Sequence, residues 1–378
     1  MTVSKTLVHS ITNSAFLINA SLPENYQAEV FEEGMRAASD VASIRAIDGR
    51  KVLIVGGAGY IGSVLTSHLL DSGYQVRCAD KLVYGHGLSV VPHLNRPGYE
   101  FINTDLAEPT QFSKLLDGVT DVVLLAGLVG DPVTKNFPDA AARVNDQGHD
   151  TMIRLLDGRG LNRVVFISTC SNYGLIEGDQ LADENFELKP LSLYAQSKVA
   201  VENKLLALKG QVDYTPVILR FATAFGLSPR MRFDLTISEF TRAMALGEDL
   251  LVFDAHTWRP YCHVRDFSEL IRRSIEAPVK RVAFEVFNAG GETNNNTKQM
   301  IVDSILEQLP EARVRYQEHG SDPRNYRVNF SKVREHLFFT PRYTVADGIR
   351  ELINAINQGM FHDIAQPTSF FGNWEPKV

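Results

Sequence analysis

The chain has 378 residues, 44% hydrophobic and 22% charged, with a formal net charge of -7 and no block of lysine or arginine. This is a globular composition long enough for two lobes; it speaks against a nucleic-acid surface, and no apolar run approaches the roughly 18–20 residues of a membrane span. The three cysteines, Cys78, Cys170 and Cys262, are scattered without a C-x-x-C pair, so neither a disulfide framework nor a metal site is expected, and a reducing, cytoplasmic setting fits.

Residues 1–48 differ from the rest of the chain. The first 22 carry no acid and many Ser, Thr and Asn, so a presequence is one reading of them, with the missing arginines and the missing clear apolar core speaking against it. Val30, Met35, Ala38 and Val41 have helical spacing, which predicts a helix over 27–45 with no assignable role. From Lys51 strands and helices alternate. A β-branched run ends at Gly56, a helix covers 63–70, and strands come next at 74–80, 99–105 and 121–127. A helix over 140–156, a strand at 163–168, a helix over 193–208 and a strand at 217–220 complete the series. Repeated βα units at this spacing predict a parallel, doubly wound sheet with right-handed crossovers.

After Gly226 the pattern loosens. Short strands (250–253, 284–287, 313–317) mix with helices (236–246, 264–276, 297–309, 345–356). The expected division is an extension of unknown role at 1–48, a Rossmann-type α/β domain at 49–226 to which segments near 260–290 return, a smaller α+β substrate lobe at 227–356, and a tail at 357–378. The tail carries Phe370, Phe371 and Trp374 and is expected to dock by its aromatics.

The strand-to-helix turn Gly56-Gly-Ala-Gly-Tyr-Ile-Gly62 fits two spacings of a dinucleotide fingerprint, one through Gly57, Gly59 and Gly62 and one through Gly56, Gly59 and Gly62. In either, glycines make the turn, let the backbone approach a pyrophosphate and let the helix pack close to the strand. The N–H groups that begin the helix, from Tyr60 and Ile61 onward, then face phosphate oxygens. A glycine turn of an ordinary βα unit is the competing explanation. Asp80 ends the second strand, where a carboxylate suits a ribose 2′-OH and repels a 2′-phosphate, favouring NAD over NADP; Lys81 beside it softens that discrimination. Asp105, with Leu106 next to it, ends the third strand and could take an adenine amino group, or could simply cap a turn.

Tyr194 and Lys198 are four apart on a predicted helix and so share a face. A free tyrosine has a pKa of about 10; an adjacent ammonium favours its phenolate and makes it a usable acid/base near neutrality. Such pairs are also common on amphipathic helices without chemistry. Ser168-Thr-Cys-Ser-Asn-Tyr-Gly174 comes after the fifth strand and places hydroxyls at a carboxyl end facing the crevice, or is a plain Ser-rich turn.

Taken in order, Gly56–Gly62, Asp80, the strand end Leu125-Ala126-Gly127, Ser168–Gly174 and Tyr194–Lys198 resemble the extended short-chain dehydrogenase/reductases, specifically the NAD-dependent epimerase/dehydratase branch acting on nucleotide sugars. The resemblance runs from about Lys51 to Ile356. It implies Tyr194 as acid/base, Lys198 as its tuner and a ligand of the nicotinamide ribose, and Thr169 as the hydroxyl partner. It implies that Ala126, Gly127 and Leu128 line the cofactor with Asn145 nearby, and that the chain is a homodimer through the Tyr194 helix. Arg259, in an R-x-Y-x-H-V-x-D element, and Arg324, in Ser321–Tyr326, match phosphate or ribose contacts of the family. Ser171, Arg230 and Arg232 complete the expected substrate set, arginine forks being suited to a diphosphate. His263 is expected to start a helix rather than to catalyse.

The departures narrow the chemistry. The Asp-Glu pair of 4,6-dehydratases is replaced by Cys170 and Ser171; the cysteine and histidine of 3,5-epimerase/reductases are replaced by Ser171 and Ser228; and Thr223 stands where UDP-galactose 4-epimerase-like enzymes carry an asparagine. What remains is hydride and proton transfer at one carbon, with a 4-epimerase or a 4-ketoreductase as the expectation. The alternatives are a reductase of a non-sugar secondary alcohol and a non-catalytic NAD-binding regulator on the same fold.

Overall fold

The computed structural model describes residues 49–106, 108, 112–320, 322, 324–365 and 371–377; the helix expected over 27–45 lies outside them. Residues 46–378 form one compact unit. Its centre is a seven-stranded sheet made of β1 (Lys51–Val55), β2 (Gln75–Asp80), β3 (Tyr99–Asn103), β4 (Asp121–Leu124), β5 (Arg163–Thr169), β7 (Thr215–Phe221) and β11 (Glu285–Ala289). The strand order is β11-β7-β5-β4-β1-β2-β3 and every pairing is parallel. The chain therefore winds outward in both directions from β1 and β4. A crevice opens above their carboxyl ends, the place where such sheets hold ligands.

The sheet is buried on both faces because successive side chains of a strand point to opposite sides. Val52 and Ile54 of β1 join Val123, Val165 and Leu219 in one core layer, whereas Leu53 and Val55 join Val122, Leu124, Phe166 and Ile218 in the other. The first layer is closed by α1 (Tyr60–Asp71), through Leu65 and Leu69, and by a later helix, Val264–Glu276, through Phe267, Leu270 and Ile271. The second is closed by α2 (His149–Leu156), through Met152 and Ile153, and by α3 (Leu193–Ala207), through Val201 and Leu205.

Smaller sheets lie beyond the carboxyl ends. β8 (Thr223–Phe225), β10 (Trp258–His263) and β12 (Asn295–Thr297) form one, with β10 in the middle. β9 (Leu250–Phe253) pairs with β13 (Val314–Gln317), and β6 (Leu181–Ala182) with β14 (Arg327–Val328). Helices Thr236–Ala245, Lys298–Leu306 and Val345–Asn357 pack on the first two of these over a core of Ile237, Phe240, Val252, Tyr261, Ile301 and Ile349.

Several elements differ from expectation. β3 and β4 stop at Asn103 and Leu124, so the stretches 104–105 and 125–127 are loop free to line the crevice. The strand expected over 284–287 is β11, which lies in the segments near 260–290 and forms an edge of the large sheet. The helix expected over 140–156 contains a wide π-helical turn, Ala142–Gly148. β10, which carries Arg259, has no strong alternation in sequence because it is buried along most of its length. Among the described residues no helix is long and apolar enough to cross a membrane, and no cluster of His, Cys, Asp and Glu could hold a metal ion.

Candidate functional site

A cleft of about 450 Å³ runs along the carboxyl ends of the large sheet. The residues expected to catalyse, to hold the cofactor or to bind substrate contribute to its wall, Gly57 and Asn145 apart.

The glycine turn forms its floor. Gly56 has φ 90°, a conformation that L side chains rarely adopt. A Cβ on Gly62 would collide with the Gly56 carbonyl oxygen and lie 2.7 Å from the Gly57 Cα. Gly57 instead faces Cys78, whose Sγ would be 2.6 Å from a Cβ there. Of the two spacings, Gly56, Gly59 and Gly62 are the ones on the cleft, and Gly57 is a packing glycine. Gly59 caps α1, so the first N–H groups of a 12-residue helix, those of Tyr60, Ile61 and Gly62, open toward the cleft. A backbone of this shape, with the positive helix end behind it, is suited to cradle a pyrophosphate.

Asp80 closes the next loop. Its Oδ2 accepts from the Ala58 N–H at 3.1 Å and its Oδ1 from the Leu82 N–H at 2.8 Å. Lys81 does not lean on Asp80: its Nζ lies 2.6 Å from Asp105 Oδ2. That ion pair alters two expectations, since Lys81 is turned to Asp105 rather than to Asp80, and Asp105 is already engaged by a cation. The opposite wall is Leu125, Ala126 and Gly127. The Leu125 and Ala126 N–H groups donate to the Val55 carbonyl at 2.9 and 2.7 Å. Buried Asn145, set in the wide turn, accepts from the Leu128 N–H at 2.8 Å and donates to the Leu128 carbonyl at 3.0 Å, which fixes the loop.

At the carboxyl end of β5, Thr169 begins a short 3-10 turn, Cys170–Tyr173, and its Oγ1 accepts from the Ser171 N–H at 3.1 Å. The hydroxyls of Ser171 and Tyr326 are 3.3 Å apart. Cys170 is fully buried and donates to the Arg220 carbonyl at 3.1 Å, away from the cleft. α3 starts at a Ser192 cap, whose Oγ accepts from the Ala195 N–H at 3.3 Å, and presents Tyr194 one turn before Lys198. The Lys198 ammonium donates to the Ile167 carbonyl at 2.9 Å and lies 5.8 Å from the Tyr194 ring centroid. Burial pulls this lysine down to about 8, with the Glu202 charge opposing.

The far wall carries arginines. Arg259 Nη2 lies 3.0 Å from Asp322 Oδ2, and Arg324 donates to both oxygens of the same carboxylate at 2.8 and 2.9 Å. Burial would raise Asp322, but the Arg324 hydrogen bonds and the Arg259 and Arg324 charges hold it well below the usual carboxylate range. Two guanidinium groups thus share one carboxylate. Arg232 is paired with Asp234 at 2.5 Å. Arg230 does not match its expected role: its guanidinium donates to the Met231 carbonyl at 2.7 Å, the Gly372 carbonyl at 2.8 Å and Asn373 Oδ1 at 3.0 Å, so it holds the chain's own tail. His263 caps the helix after β10, accepting from the Arg265 N–H, with Glu351 3.0 Å from its Nε2.

Sequence reasoning missed Tyr84 and His86 in the loop after β2, and Asn373 and Trp374 in the tail, all of which line the cleft. The Tyr84 hydroxyl and both His86 ring nitrogens are buried without a hydrogen-bond partner. His86 Nε2 is 3.4 Å from Asp80 Oδ1 but is not aligned to bond it. Orphaned polar atoms beside a backbone cradle whose Gly56 and Gly62 leave no room for a Cβ are what a polar, phosphate-bearing cofactor would complete.

The sequence pattern of the NAD dependent epimerase/dehydratase family matches residues 52–290. The chain belongs to this family. Among relatives of this family, the dTDP-glucose 4,6-dehydratase of Streptomyces niveus is 28% identical over 80% of this chain and 91% of its own. The UDP-glucose 4-epimerase of Rhizobium leguminosarum bv. trifolii is 26% identical over 80% of this chain and 96% of its own. In three dimensions the chain resembles the UDP-glucuronic acid 4-epimerase of Bacillus cereus, solved with UDP-glucuronic acid and NAD, with a TM-score of 0.73, 24% identity, and coverage of 82% of this chain and 99% of that one. The chain is therefore an NAD-dependent enzyme of the extended short-chain dehydrogenase/reductase fold, and the cradle at Gly56–Gly62 fits the cofactor of its family.

Proposed function

We propose that this enzyme carries out NAD-dependent redox chemistry at C4 of a nucleotide-activated sugar. The observation that supports it best is that one cleft joins the Gly56–Gly62 cradle, the Thr169–Tyr194–Lys198 group and the Arg259–Asp322–Arg324 cluster. NAD, when bound, supplies the hydride acceptor and donor. The cradle, Asp80 and the loop 125–127 hold its dinucleotide, with residues 49–226 and the returning segments near 260–290 as the cofactor-binding part. Asp80, with Lys81 turned away, favours a free ribose 2′-OH over a 2′-phosphate.

Tyr194 takes the proton from the sugar hydroxyl as the C–H bond breaks and returns it on reduction. Thr169 orients that oxygen. The Lys198 ammonium, one helical turn away, favours the charged form of Tyr194. The lobe at 227–356 receives the nucleotide, with Arg259 and Arg324 on its diphosphate and Ser171 beside the sugar. Elimination of water would need the acid pair that Cys170 and Ser171 replace. Among the described residues no glutamate lines the cleft, and its aspartates are bonded to backbone amides or cations. The reading includes a homodimer through α3 and a cytoplasmic location, the latter supported by three buried, free cysteines.

The test is the Tyr194→Phe enzyme assayed with UDP- and dTDP-hexoses. Turnover should fall by at least about 100-fold while NAD is still bound. Undiminished turnover rejects the mechanism, and failure of every nucleoside diphosphate to raise the melting temperature rejects the sugar-nucleotide substrate in favour of another secondary alcohol.

A further inference from the structure

The stretch 371–377 crosses the cleft and is fastened on both sides of it. Lys377 donates its backbone N–H to the Val83 carbonyl at 2.7 Å, in the loop after Asp80. Asn373 donates from Nδ2 to the Val129 carbonyl at 3.2 Å, two residues beyond the Gly127 wall. On the lobe side, Arg230 holds Gly372 and Asn373, and the Phe233 N–H donates to the Phe371 carbonyl at 2.6 Å. Phe371 packs edge-on against Phe233 and Phe361, with ring centroids 5.6 and 5.8 Å apart.

Between these anchors Asn373 and Trp374 face the cleft. The indole folds over Gly372, where a Cβ would collide with its Nε1. The family match ends at residue 290, so nothing in it covers this stretch.

We infer that residues 371–377 are a fastened strap over the dinucleotide half of the cleft, that Trp374 and Asn373 are its cofactor-facing residues, and that NAD leaves only when the strap lifts. The cofactor half is indicated by the anchors. Val83 follows Asp80 at the end of β2 and Val129 follows the 125–127 wall at the end of β4, the two strands that flank β1 and its Gly56–Gly62 cradle. Arg230 supplies an independent indication. It is 1% exposed, it lies in the cleft wall, and its Nη2 is spent on two groups of the strap. A retained cofactor suits a cycle that takes a hydride and gives it back, so the inference rests on the function proposed above and assigns it to the epimerase mode.

The test is the release rate of NADH from the full-length enzyme, followed by its fluorescence after mixing with excess NAD. Trp374 is partly exposed, so Trp374→Ala should leave the melting temperature of the cofactor-free protein unchanged. Its NADH release, and that of Gly372→Ala, in which the indole must swing away, should be at least about tenfold faster, as expected when a lid limits dissociation. Release within twofold of the wild type in both variants overturns the strap and leaves the proposed function standing. Failure of the wild-type chain to bind NADH overturns both.

Discussion

Glu202 and Arg220 form a bidentate ion pair at the carboxyl end of β5: Arg220 Nη2 is 2.7 Å from Glu202 Oε2, and Nε is 3.1 and 3.2 Å from its two oxygens. Ser168 also donates to this carboxylate, and Asn172 does so at 2.8 Å; the other end of Arg220 reaches the Tyr173 hydroxyl at 3.0 Å. The pair ties β5, the turn 170–173, α3 and β7 together, the same pieces that carry Thr169 and Tyr194. Removing one partner of a buried pair leaves the other charge stranded, at a cost of about 3–5 kcal/mol. Glu202→Gln should therefore lower the unfolding free energy in urea by about 3 kcal/mol, and an unchanged midpoint would show that the pair does not brace the site.

Lys198 gives a pH signature. It loses its proton near 8 in the folded enzyme, chiefly through burial, and near ~10.4 when unfolded. Between those values the unfolded chain binds more protons, so this group's contribution to stability rises as pH rises through the window. The wild-type unfolding free energy minus that of Lys198→Met should increase by on the order of 2–3 kcal/mol between pH 7.5 and about 10.5 in cofactor-free protein. Urea titrations at the two pH values measure it, and a difference that does not move with pH contradicts the depressed proton affinity.

Gly62→Ala tests the cradle. The added methyl would meet the Gly56 carbonyl oxygen and the Gly57 backbone, neither of which can swing aside as a side chain would. The expected result is a loss of about 2 kcal/mol or more of stability together with loss of NAD binding by calorimetry. An exposed turn elsewhere offers a control: Gly118→Ala adds a methyl in open space but at positive φ, and should leave NAD affinity unchanged.

If Arg259 holds the diphosphate as proposed, Arg259→Ala should raise KM for the nucleotide sugar by about 10–100-fold with kcat nearly unchanged, because such a contact is made equally in the ground and transition states. Arg259→Lys should recover little of this, since the fork geometry, and not charge alone, makes the contact. A fall in kcat at constant KM would place Arg259 at the reacting carbon instead.

The sheet and its glycine turn are legible because their causes are local. Val52 to Val55 alternate between two core layers, and only glycine fits at position 62. Tyr194 and Lys198 are legible through helical spacing. The wide turn 142–148 is not, since one extra residue per turn leaves no periodic trace in Ala-Arg-Val-Asn-Asp-Gln-Gly. Arg230 shows a different limit. Its residue type pointed to an anion, yet its partners lie in a stretch more than a hundred positions away, and only the folded chain brings Gly372 and Asn373 to it. Trp374 and Asn373 escaped for the same reason, as did the Lys81–Asp105 pairing, in which two cleft residues satisfy each other.

The placement of β11 beside β7 has a consequence for synthesis. Residues 49–221 contain six of the seven central strands, but the outer edge of β7 stays unpaired until Glu285–Ala289 has left the ribosome. At about 5–20 residues per second that interval lasts roughly 3–13 s. During it a nascent chain exposes the open backbone of a hydrophobic strand, Thr215–Phe221, together with the sheet face that Val264–Glu276 later covers. Holding chaperones would act in this interval, and a ribosome stalled between those segments would carry a chain with an open strand edge and an uncovered sheet face.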